Sequence, residues 1–106
     1  MTELEVSLNR IYQSFWIMEG LIEEANEIIE STEKGTLVRD CGLIMAAQKV
    51  EHYEIASYGT LRNIARTLGY EDAAGLLQQT LDQEGETDQL LTDLAESYVN
   101  ELASAE

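Results

Sequence analysis

The chain has 106 residues, enough for one domain with one modest core. Its 6 Lys and Arg against 21 Asp and Glu give a net charge of −15. That excludes the basic face a nucleic acid needs and disfavours an anionic membrane surface. With no Pro and a single Cys, long unbroken helices are permitted and an intrachain disulfide is excluded.

The first element is expected over Glu3–Glu33. Leu4, Leu8, Ile11, Phe15, Met18, Ile22, Ala25 and Ile29 recur at alternating steps of three and four, the seam of an amphipathic helix. Val6, Tyr12, Trp16, Leu21 and Ile28 widen the apolar face, so the helix needs more than one neighbour. Gly35 supplies the left-handed residue that ends it. The second element is expected over Leu37–Leu68, with Gly69 as its terminator and Arg62 and Arg66 near its C-terminus, where the helix dipole favours cations. Its seam reads Leu43, Ala47, Val50, Glu54, Ser57, Leu61, Ile64, Leu68. Gly42, Ser57 and Gly59 are small enough to admit a close neighbour. The third element is expected over Glu71–Ala103, its seam Ala74, Leu77, Leu81, Glu84, Asp88, Leu91, Ala95, Tyr98, Leu102, with Gly85 admitting a close neighbour or a bend. The two-to-three-residue connections make successive helices antiparallel. The class is therefore all-α, a single helical domain of three long helices, each about 45 Å at ~1.5 Å per residue. Faces this broad point to a homodimer or a larger even-numbered oligomer that completes the bundle.

Acids interrupt two of these seams at mid-length. A carboxylate on an apolar seam is costly to bury unless something compensates it. Glu54, Glu84 and Asp88 are thus candidate ligands for a divalent metal, iron or manganese first, because carboxylate oxygens suit those ions. Glu51, one turn before Glu54, is a flanking candidate. His52 adds an imidazole, but it is rotated about 100° from Glu51 and faces elsewhere, where it reads first as a hydrogen-bonded interface residue and only second as a ligand. The competing reading pairs these acids with Lys49, Arg62 or Arg66 in structural ion pairs. Trp16, Tyr53, Tyr58 and Tyr70 read as packing residues rather than redox relays. No glycine-rich phosphate loop, Cys-x-x-Cys or nucleophile elbow is present, so the sequence assigns no reaction. Met1-Thr2-Glu3-Leu4-Glu5 lacks a basic signal region and the lone Cys41 fits a reducing compartment, so a cytoplasmic location is expected. No apolar run approaches the ~20 residues of a membrane span.

Met18-Glu19-Gly20-Leu21-Ile22-Glu23-Glu24-Ala25 and Ala46-Ala47-Gln48-Lys49-Val50-Glu51-His52-Tyr53-Glu54-Ile55-Ala56-Ser57-Tyr58-Gly59-Thr60-Leu61 resemble two blocks of the YciE/YciF-like bacterial stress-associated proteins. Leu81–Asp88 with Leu91-Thr92-Asp93-Leu94-Ala95 resembles a third, so the likeness covers about residues 18–99. The resemblance implies a ferritin-like four-helix fold, a dinuclear metal site and a role in iron handling or the stress response. The family carries two further helices ahead of the Met18 block, with half of its expected ligands, and Met1–Ile17 does not resemble them. The alternative is therefore a helical oligomerisation module without the metal chemistry. Ferritin-like sites use a Glu on one helix and Glu-x-x-His on another; Thr87 stands where that His would follow Glu84.

Overall fold

The computed structural model describes the backbone of residues 2–106 and the side chains of these residues except 4–15 and Tyr98. The seam positions Leu4, Leu8, Ile11, Phe15 and Tyr98, with Val6 and Tyr12, lie outside the described side chains. The chain is helical throughout: α1 Glu3–Ser31, α2 Leu37–Thr67, α3 Glu71–Leu94, a π turn Ala95–Val99, and α4 Asn100–Ala103. The first helix is continuous through Ile17–Gly20, as its unbroken heptads require.

Both connections are built on a left-handed glycine, Gly35 and Gly69, each with φ 81°. At the second, the Gly69 N–H donates to Arg66 O at 3.1 Å and the Tyr70 N–H to Ala65 O at 2.8 Å. This pair satisfies carbonyls that the end of α2 would otherwise leave bare. The end of α1 is handled from outside. Arg39 of α2 donates through Nη2 to Ile29 O at 2.6 Å and to Thr32 O, and through Nε to Thr32 Oγ1 at 3.0 Å. The cation satisfies carbonyls at the end of α1, which closes at Ser31, two residues before the expected Glu33. The start of α2 is capped twice. Thr36 Oγ1 accepts from Arg39 N–H at 3.3 Å, and the Glu106 carboxylate accepts from the Leu37 and Val38 N–H groups at 2.8 and 3.0 Å.

The third segment departs from expectation. Where one regular helix was expected to Ala103, the π turn inserts an extra residue per turn at Ala95–Val99. Val99, which is not on the expected seam, is buried at 2% exposure, while Leu102 of the expected seam is 50% exposed. The Cys41 thiol donates to Asn100 Oδ1 at 3.1 Å and ties this end to α2.

α2 is the central helix, with α3 along one flank and α1 along the other, and α1 and α3 do not meet among the described residues. The array measures 53 × 28 × 14 Å between Cα extremes. With α1 and α3 not in contact among the described residues, the three helices lie side by side as an open layer. The radius of gyration is 17.4 Å, against about 13 Å for a compact chain of this length. Among the described residues the buried apolar side chains are correspondingly few: Ile44, Ala46, Ala65, Ala74 and Val99. Trp16 and Tyr70, expected to pack, are exposed, because a single layer offers them no second surface.

Of the glycines expected to admit a neighbour, only Gly42 does so. A Cβ there would lie 2.6 Å from Ile28 Cγ2 of α1, whereas Gly59 and Gly85 would meet nothing within 4 Å. Gly42→Ala is accordingly expected to cost about 1–3 kcal/mol by overpacking against a stiff β-branched side chain. Gly59→Ala is expected to stabilise by about 0.5–1 kcal/mol through helix propensity alone. Thermal melts of both variants check the contrast.

Candidate metal centre

Two polar ties, one between neutral side chains and one donated by a guanidinium, set the register between α2 and α3. Gln48 Nε2 donates to Thr92 Oγ1 at 2.7 Å and to Asp88 O at 3.4 Å; further along, Arg62 Nη1 donates to Gln78 Oε1 at 2.7 Å. Between these ties lie Glu51 and Glu54, one turn apart on α2, and Glu84 on α3. One carboxylate oxygen from each falls within 4.8 Å of the other two, and all three residues are half-buried. Two unit charges at that spacing repel by about 3.5 kcal/mol at an effective dielectric of 20, so three carboxylates gathered there call for a cation.

Lys49 and Arg62, the basic side chains nearest in sequence, are engaged elsewhere. Lys49 pairs with Glu24 across the α1–α2 contact, and Arg62 turns to Gln78 and Asn63. Among the described residues no Lys or Arg makes an ion pair with Glu51, Glu54 or Glu84. Glu51 Oε2 is buried and accepts no hydrogen bond. The donor set is all hard oxygen, which suits Mg, Mn or Fe rather than a thiolate- or imidazole-seeking ion.

Asp88 is not brought into this group. Its Oδ1 lies 3.0 Å from His52 Nε2, with side chains 22% and 67% exposed respectively. The contact is not aligned as a hydrogen bond, since Asp88 Oδ1 remains without a hydrogen-bond partner. His52 thus meets Asp88 of α3 and is not part of the Glu51–Glu54–Glu84 group. The five residues proposed from sequence therefore fall into a triad, Glu51, Glu54 and Glu84, and a neighbouring pair, His52 and Asp88. The seam alone ranked Asp88 above Glu51; the Glu-x-x-Glu spacing at 51 and 54, two acids on one face, was the signal for the arrangement observed. Gln48 and Thr92, which hold the register, were not singled out by sequence.

Layered helices with paired and facing carboxylates at mid-length define an all-α bundle protein with an acidic waist. The chain belongs to the family described as a domain of unknown function, DUF892, whose model matches residues 9–104. It is 67% identical over 86 residues to the Escherichia coli (strain K12) protein YciF, an alignment covering 81% of this chain and 51% of YciF. Among solved structures it is similar to the E. coli stress protein YciF, with a TM-score of 0.74 and 68% identity over 79% of this chain and 52% of that one. The chain thus spans about half the length of the relative it matches.

In buffer containing EDTA, Glu84→Gln is expected to raise stability by about 1 kcal/mol, the part of the repulsion that survives solvent screening. His52→Ala is expected to change it by less than about 0.5 kcal/mol, as an exposed pair should. Denaturant titrations of the two variants against wild type check both.

Proposed function

We propose that this chain is a ferritin-like, carboxylate-rich metal-binding protein of the bacterial stress response, working in the cytoplasm, with a divalent cation held by Glu51, Glu54 and Glu84. The observation that carries this reading is the buried, unpartnered Glu51 Oε2 in a three-carboxylate group that no described Lys or Arg neutralises. Iron or manganese is the first choice, because the donors are hard oxygens and the set holds no thiolate. When bound, such an ion neutralises the waist and, as iron or manganese, supplies a redox couple. The chain's own residues hold and orient: α2 presents two oxygens from one face, α3 a third, and Gln48 with Thr92 fixes their relative height. His52 and Asp88 form a separate contact between α2 and α3 outside this group.

The stress association comes from YciF, which is described as a stress protein and is 68% identical over the shared region. For location, the lone Cys41 fits a reducing compartment. No described helix is long and apolar enough to cross a membrane.

Binding to the folded state alone raises stability by mass action, by about 2.7 kcal/mol at a hundredfold excess over the dissociation constant. Melting curves of wild type with EDTA and with Fe(II) or Mn(II) are expected to show that rise, and Glu54→Ala is expected to abolish the metal-dependent part. If Glu54 were instead half of a structural ion pair, the variant would destabilise equally with and without metal. A wild-type melt that ignores metal sinks the proposal.

A further inference from the structure

We propose that the outer edge of α3, the side turned from α2, is a docking surface for a helix of another protein, one whose apolar stripe is bordered by lysine or arginine. The docking involves none of the three grouped carboxylates and needs no metal.

Two ties fix the direction of this edge. Gln78 and Thr92 hold α3 to α2. Leu76 and Leu90 each stand two residues earlier, which is about 200° round the helix at 100° per residue. They are 65% and 67% exposed, more than any other described leucine, and α1 does not reach α3 among the described residues. Thr80, Gln83, Thr87 and Leu94 join them in steps of four, three, four, three and four, the spacing of a coiled-coil seam. At ~1.5 Å per residue the row from Leu76 to Leu94 is about 27 Å long.

The row is less polar than its residue types. Thr80 Oγ1 donates to Leu76 O at 3.3 Å and Thr87 Oγ1 to Gln83 O at 3.0 Å. Each hydroxyl is engaged by its own helix, which leaves the threonine methyl for contact. Every acid of α3 stands off the row, in a chain whose net charge is −15. An exposed stripe kept free of charge on so acidic a surface has the composition of an interface core, where charged residues are depleted. Charge also selects the occupant. Glu86 and Asp93, both exposed, stand one residue before Thr87 and Leu94 and line one border of the row. α3 holds no Lys or Arg to neutralise them. A second copy would bring a net charge of −15 against these acids, whereas lysines or arginines bordering the stripe of a partner helix pair with them. Gln83, at the middle of the row, offers an amide that sets register against a polar residue of that helix.

The test uses the full chain and two labelled synthetic helices of three heptads, both with leucine at a and d, one with lysine and the other with glutamate at e and g. In fluorescence-anisotropy titrations at low salt the lysine helix is expected to bind at least tenfold more tightly than the glutamate helix. Leu90→Glu and, separately, Leu76→Glu are expected to weaken the lysine helix at least tenfold. Each variant adds a negative charge, so a merely electrostatic attraction would tighten instead of weaken. Both sites are exposed, and circular dichroism checks that each variant keeps its helices. Leu61→Glu, 50% exposed on α2, is expected to leave binding unchanged within about twofold. Failure of the lysine helix to bind, equal binding of the glutamate helix, equal or tighter binding to the α3 variants, or a loss with Leu61→Glu as large as theirs overturns the proposal. So does a wild-type oligomer that Leu90→Glu dissociates in sedimentation, since the row would then pair copies of this chain.

Discussion

Because α2 touches α3 on one flank and α1 on the other, the three helices lie side by side and their apolar stripes cannot all turn inward. Most consequences follow from that placement. Burial is confined to the two lines of helix–helix contact, where small residues prevail: Ala46, Ala65 and Ala74 are buried, and Gly42 lets Ile28 of α1 come against the backbone of α2. The large side chains that a third dimension would cover remain on the two broad faces. Hydrophobic stabilisation scales with the area removed from water, so a layer of this kind keeps much of its driving force in reserve.

The acidic group depends on the same contact line. Arg62–Gln78 and Gln48–Thr92 bracket it from either side, and both ties join side chains of α2 to side chains of α3. A slip of one residue along α3 would carry Glu84 about 1.5 Å and rotate it by about 100°, out of reach of Glu51 and Glu54. Polar pairs hold register better than apolar ones. Apolar contacts between helices slide at small cost, whereas a misaligned hydrogen bond strands its donor and acceptor. Lys49, a candidate partner for the waist on sequence grounds, is drawn instead to Glu24, because it sits on the opposite flank of α2.

Local features were legible in the sequence. The helices, their antiparallel order and both left-handed glycines follow from periodicity and capping, which act within a few residues. Longer-range features were not. A π turn adds one residue without any Pro or Gly to mark it, and so the burial of Val99, off the expected seam, came unannounced. The seam of α2 told which residues share a face, but not which residues of its neighbours that face would meet. Hence Asp88, on the seam of α3, was expected beside Glu54 and lies instead beside His52, while Glu51, off the seam of α2, joins the triad. The heptad gives a direction on one helix; the rotation of its neighbour decides what that direction meets.

The carboxylate of Glu106 on the first N–H groups of α2 links positions 68 and 69 residues apart in sequence. The other described ties that cap α1 and α2 span 10 residues or fewer, and such short loops close on the timescale of helix formation. The Glu106 link must wait until α2 and α3 have paired and the chain has doubled back along its whole C-terminal half, because only then does the loop entropy of bringing its ends together fall away. It is therefore a late event in folding and an early loss in unfolding. The amide protons of Leu37 and Val38 accordingly report on the integrity of the far end of the molecule rather than on the helix to which they belong.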